Sequence, residues 1–174
     1  MILSYLYNLD ELNKMGDGIV LNIKNYSFLM PKMYSLEEAK KIVDTVDKKV
    51  FISLTPLYHD SELDDVKNII KTLKDADGFF FQDLGLYSIF KELNILSKAI
   101  YSPETFITNH LDKNYFKNAL IENFLLSREI TLDDIKKNYS TAKSVTGNSK
   151  TYRLANGEKV KCHYKIVEAD TPTA

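Results

Sequence analysis

The chain of 174 residues contains a single cysteine, Cys162, and that scarcity bounds its chemistry first. One thiol excludes an internal disulfide and any four-cysteine metal or iron–sulfur site built within one chain. A charge excess is also missing: Lys+Arg total 23 and Asp+Glu 24, a formal net charge of −1. No overall field draws the chain to nucleic acid or to an anionic membrane, which leaves only local basic patches for such partners. No apolar run approaches the ~18–20 residues that span a bilayer. The apolar start, Met1–Tyr7, has no basic leader and no small-residue cleavage site, so it does not read as a signal peptide. A cytoplasmic protein is the expectation. No Gly-x-Ser-x-Gly elbow, His-Glu-x-x-His or Cys-x-x-Cys occurs, so nucleophilic and zinc-hydrolase mechanisms lack their usual support. Tryptophan is absent, while 11 Tyr and 9 Phe are present and read as core rather than as a base-stacking platform.

What is there describes a globular protein. A hydrophobic content of 44 % and a charged content of 27 % suit one folded domain, or one domain with an appendage. Leu36, Ala39, Ile42, Val43 and Val46 recur at helical spacing, and so do Leu63, Val66, Ile69, Ile70 and Leu73. Ser35 to Glu38 is a capping box, Ser61 to Asp64 an acidic variant, and Asn8 to Glu11 and Thr131 to Asp134 repeat the signature. Between these stretches lie short apolar runs: Ile2–Tyr7, Gly18–Ile23, Val50–Leu54, Gly78–Phe81, Ala99–Tyr101 and Asn123–Leu126. Their weak alternation is that of strands covered on both faces, as in parallel sheets.

About six strand–helix units with right-handed crossovers leave a doubly wound sheet or a β/α barrel. The barrel is preferred, because six units in ~138 residues are compact and no glycine-rich phosphate loop follows the first strand. The expected fold is α/β, a partial or small TIM-like barrel over residues 1–138. Residues 139–150, rich in Ser, Thr, Asn and Lys, read as a linker. In residues 151–174, Thr151–Leu154 and Lys159–Val167 flank Asn156-Gly157 and predict a β-hairpin, followed by a frayed tail from Asp170.

Several apolar runs close on polar clusters, at the strand ends where parallel α/β folds carry their chemistry. Phe51-Ile52-Ser53-Leu54-Thr55, Phe81-Gln82-Asp83-Leu84-Gly85 and Leu126-Ser127-Arg128-Glu129-Ile130-Thr131-Leu132 follow one another in order, and Asn22 to Tyr26 fits a second strand and its loop. Through these motifs the chain resembles the collagenase-like peptidases of family U32 over roughly Met1–Asn138. The resemblance implies the amino-terminal portion of a TIM-like barrel and a hydrolase of peptide-like substrates. Many members carry a downstream glycine-and-cysteine signature, associated with an iron–sulfur cluster and with hydroxylation. That signature is absent here and Cys162 alone cannot supply it, so no cofactor is expected.

The candidate catalytic residues are Asp83, Glu104, Arg128 and Glu129, with Gln82, Asn109, His110 and Ser127 as substrate-binding candidates and no metal site. A carboxylate on the rim serves as general base while Arg128 stabilises the developing anion. Each has a plainer reading beside it: Asp83 as a helix cap, Arg128 and Glu129 as an ion pair between loops, and His110 and His59 as residues at helix starts. Cys162-His163 is too small a cluster for a metal site, and Lys136-Lys137, Lys159 and Lys161 read as solvated faces. The partner expected is a peptide-like or small-molecule ligand, with a homo-oligomer left open and no membrane or nucleic acid. The alternative function is a non-catalytic binding or oligomerisation module, since a short β/α array leaves edge strands for a second chain to cover.

Overall fold

The computed structural model describes residues 2–28, 32–103, 109–118, 123–126, 144–146 and 163–167. Five strands, β1 (Ile2–Tyr5), β2 (Gly18–Asn22), β3 (Lys49–Leu54), β4 (Gly78–Phe81) and β5 (Ala99–Tyr101), pair in parallel and in chain order. Sequential order is the winding of a β/α barrel; a doubly wound sheet reverses its order at a switch point.

Helices α1 (Leu36–Thr45), α2 (Leu63–Thr72), α3 (Gly85–Glu92) and α4 (His110–Asn118) follow β2, β3, β4 and β5. The first crossover instead uses a 3-10 helix, Leu9–Lys14, which begins at Asn8, whose Oδ1 accepts from Asp10 N at 3.2 Å. Ser35 caps α1 as its box requires: Ser35 Oγ accepts from Glu38 N at 3.2 Å, and Glu38 Oε2 accepts from Ser35 N at 2.8 Å. The start of α2 differs from expectation. A 3-10 turn, Asp60–Glu62, precedes the helix, so Ser61 lies inside that turn and Glu62 Oε2 reaches back to His59 N at 2.7 Å. Thr131 to Asp134 lies outside the described residues.

Two layers of buried side chains explain the missing alternation. Ile19, Leu21, Ile52, Leu54, Phe79, Phe81 and Tyr101 pack outward against Ala39, Ile42, Val66, Ile70, Leu86 and Phe90 on the helices. The intervening positions, Leu3, Val20, Phe51, Phe80 and Ile100, meet one another on the inner face together with Leu125. Both faces are apolar because both are covered. At the amino ends of β2 and β4 the inner face is closed by side chains leaning over glycines. A Cβ on Gly18 would stand 2.6 Å from Leu3 Cδ2, and one on Gly78 would stand 2.8 Å from Phe51 Cδ1.

Neither edge of the five-strand sheet is open. Residues Leu125–Leu126 form β6, and Phe124 bridges in parallel to Tyr101, whose N–H donates to Asn123 O at 2.9 Å. On the far side, β8 (His163–Val167) runs antiparallel to both β1 and β7 (Ser144–Thr146), and β7 runs parallel to β6. The pairings therefore make a circuit with one reversed strand. Residues 163–167 fall in the second arm of the expected hairpin, but their partners are β1 and β7, and β7 lies within the stretch read as a linker. Thr151–Leu154 is outside the described residues. Among the described residues no helix is long and apolar enough to cross a membrane.

Candidate functional site at the carboxyl end of the barrel

Following the inner face toward the carboxyl ends of the strands, the side chains turn polar. Asn22, Ser53 and Ser102 are all buried there, and Gln82 is half-buried. Register pairs Asn22 with Ser53, and the Phe81↔Tyr101 pairing carries on through a bond from Ser102 N to Phe81 O at 2.7 Å. Alternation past Val20, Phe51, Phe80 and Ile100 aims Asn22, Ser53, Gln82 and Ser102 into the barrel mouth. Two atoms in this group, Asn22 Nδ2 and Gln82 Oε1, are buried without a hydrogen-bond partner.

The loops above the mouth are tied to one another. After β2, Ile23 N donates to Ser27 Oγ at 2.7 Å, and Ser27 Oγ donates to Ser53 O on the neighbouring strand. Tyr34 returns beside β2: its N–H donates to Asn22 O at 2.8 Å and its Oη to Leu6 O at 3.1 Å. Burial, with the Glu38 charge as a smaller cause, pushes the Tyr34 phenol up to about 12. Tyr58, in the loop after β3, donates from Oη to Tyr26 O at 2.7 Å, and Tyr26 Oη donates to Asp65 Oδ2 at 3.1 Å. Burial first, and then the nearby Asp83 charge, push the Tyr58 phenol well up. Both hydroxyls therefore stay protonated donors at neutral pH.

Asp83 completes the tie. Its Oδ2 accepts from Tyr58 N at 2.9 Å and its Oδ1 from Gly85 N at 2.8 Å. The carboxylate thus serves the turn into α3 from one residue before the helix's cap position, Leu84, and also holds the preceding loop. Each oxygen engages one N–H, and a carboxylate oxygen has two acceptor directions, so Asp83 keeps capacity for a water or ligand. Around it the loops after β2, β3 and β4 expose large apolar side chains: Phe28 at 48 %, Leu57 at 73 % and Leu84 at 52 %.

Of the other residues singled out from the sequence, Glu104, Ser127, Arg128 and Glu129 lie outside the described residues. Asn109 stands at the start of α4, its Oδ1 accepting from Leu111 N at 2.9 Å and Asp112 N at 3.1 Å, and its Nδ2 donating to Asp112 Oδ2 at 2.8 Å. His110 is the first residue of α4. The structure thus brings Gln82 and Asp83 to the mouth and puts Asn109 and His110 at a helix start. It adds Asn22 and Ser53, whose signal in the sequence is faint, a lone polar residue near the end of an apolar run, and Ser102, which opens the polar stretch Ser102-Pro103-Glu104. Among the described residues no group of three or more His, Cys, Asp or Glu could hold a metal ion.

This geometry meets a family assignment. The model of peptidase family U32 matches residues 10–146. The chain belongs to that family. The match extends past Asn138 and takes in β7, so the U32 portion includes a strand that pairs with β8. No curated protein matches the chain.

Proposed function

We propose that this U32-family chain is a hydrolase of peptide-like substrates that works at the carboxyl rim of its barrel. One observation carries the reading: in a chain of a peptidase family, a half-buried carboxylate, Asp83, is oriented by two backbone N–H groups at the end of β4. A carboxylate so fixed directs a free lone pair at a water and takes its proton as the water attacks the scissile carbonyl. Glu104, Arg128 and Glu129, which follow later strands, are proposed to share the rim, with Arg128 stabilising the oxyanion. Exposed Phe28, Leu57 and Leu84 suit apolar side chains of a peptide lying across the loops.

The competing reading, a non-catalytic binding module, is favoured by the same bonds, because Asp83 already has structural work. Hydrolysis of gelatin and short peptides by the wild type, Asp83→Ala and Arg128→Ala separates the two. The hydrolase reading expects turnover by the wild type and losses of about 10²–10⁴-fold in each folded variant. An inactive wild type, or equal activity in all three proteins, contradicts it.

A further inference from the structure

Native proteins pair nearly all their buried polar side-chain atoms, and an orphan carries its full desolvation cost. Here two orphans stand at one end of the barrel, on strands separated only by β3: Asn22 Nδ2 on β2 and Gln82 Oε1 just past β4. Asn22 is only 2 % exposed, so solvent does not satisfy it. The free atoms are complementary in kind, since Nδ2 of an amide only donates and Oε1 only accepts. Neither side chain ionises, so the pair selects a neutral group that offers an acceptor to one wall and a donor to the other.

We infer that Asn22 and Gln82 recognise one peptide group of a ligand seated in the barrel mouth, Asn22 donating to its carbonyl and Gln82 accepting from its N–H. A trans peptide points these two groups in opposite directions. Adjacent strands lie ~4.8 Å apart, so strands two apart are separated by on the order of 10 Å. The register Asn22↔Ser53 and Ser53↔Phe80 sets Gln82 one inner position, roughly 7 Å, nearer the opening of the mouth, so the ligand's peptide group lies obliquely between the two side chains. The apolar residues Phe28, Leu57 and Leu84 on the surrounding loops suit the side chains on either side of that group. The inference rests on the peptide-like substrate proposed above and assigns the groups that bind it, separately from those that cleave it.

The test follows the side-chain amide signals of Asn22 and Gln82 in the full chain by ¹⁵N–¹H NMR during titration with N-acetyl-trialanine amide. Asn22→Leu and Gln82→Met keep the shapes and remove the polar atoms. Both amide signals are expected to shift on titration. Each variant is expected to bind about tenfold more weakly, with a Tm equal to the wild type's or a few degrees higher. Variants that bind like the wild type, a Tm that falls on removing either amide, or no binding of the peptide at all would overturn the pairing. Cleavage with unaltered binding in both variants sinks this inference alone, whereas binding through the pair without cleavage sinks the hydrolase reading alone.

Discussion

The two ends of the barrel treat polar groups in opposite ways. At the amino end, Lys48 Nζ donates to Met15 O and Gly16 O, both at 2.9 Å, and Lys98 Nζ donates to Lys74 O at 2.7 Å and Ala76 O at 2.9 Å. Asp77 Oδ2 accepts from Val50 N at 2.8 Å, and between these ties Leu3 and Phe51 fill the space left by Gly18 and Gly78. At the carboxyl end the same inner face carries Asn22, Ser53, Gln82 and Ser102, with Asn22 Nδ2 and Gln82 Oε1 unpaired. Among the described residues the amino end leaves no buried side-chain polar atom unpaired, and the carboxyl end leaves two. Such a division is expected where stability is concentrated at the bottom of a barrel and ligand contact at the top.

The contrast breaks most readily at its apolar half. Phe51→Ala removes a buried ring that meets Phe80 at 5.8 Å between centroids, and urea unfolding should show a loss of about 3–5 kcal/mol. Gly78→Ala should cost about 1–3 kcal/mol by overpacking against that ring and Ile100, and less when Phe51→Leu is added, since the two nearest obstructing atoms belong to the ring.

Alkali tests the tyrosines around the mouth and their neighbour Tyr101. Burial raises the phenol of Tyr34 to about 12 and those of Tyr58 and Tyr101 above their ordinary value of 10.0. A raised folded-state value favours the protonated form, so their contribution is fully present below pH ~10 and falls as pH climbs toward 12. Thermal unfolding across that window should show constant stability to about pH 9.5 and a steady decline above it.

Asp83→Ala strips a charged acceptor from Tyr58 N and Gly85 N, at about 1–3 kcal/mol in denaturant unfolding. The Tyr58 amide should exchange hydrogen faster while the Val50 amide, tied to Asp77 at the other end, does not. Ser35→Ala sets the scale outside the barrel, where loss of the α1 cap should cost about 1 kcal/mol.

Much of this organisation is legible in the residues because burial on two faces leaves a strong trace. The parallel strands appear as unbroken apolar runs, and Ser35 to Glu38 announces α1 because both halves of that box are local. Ser61 misleads, since the tighter 3-10 turn moves the reciprocal bond back to His59 and Glu62. Strand β7 is hidden for another reason: Ser144–Thr146 has one apolar residue in three, and its pairing with β6 and β8 is a long-range matter that local composition does not record.

At the site, Gln82 and Asp83 stand out because they end the apolar run Gly78–Phe81 abruptly. Asn22 and Ser53 each sit between apolar neighbours, and only the register of the folded sheet reveals that they turn inward side by side. The tie from Asp83 to Tyr58 spans 25 residues of sequence and is equally a property of the assembled loops.

On the ligand pairing proposed above, the carboxyl mouth keeps polar groups at the expense of stability while the amino half does not. Urea unfolding of Asn22→Leu beside Val20→Ala, one inner position further down the same strand, tests it most directly. Opposite signs are expected: Val20→Ala less stable by a few kcal/mol, and Asn22→Leu more stable by about 1 kcal/mol with weakened peptide binding. Destabilisation by both substitutions, with peptide binding intact in Asn22→Leu, would contradict it.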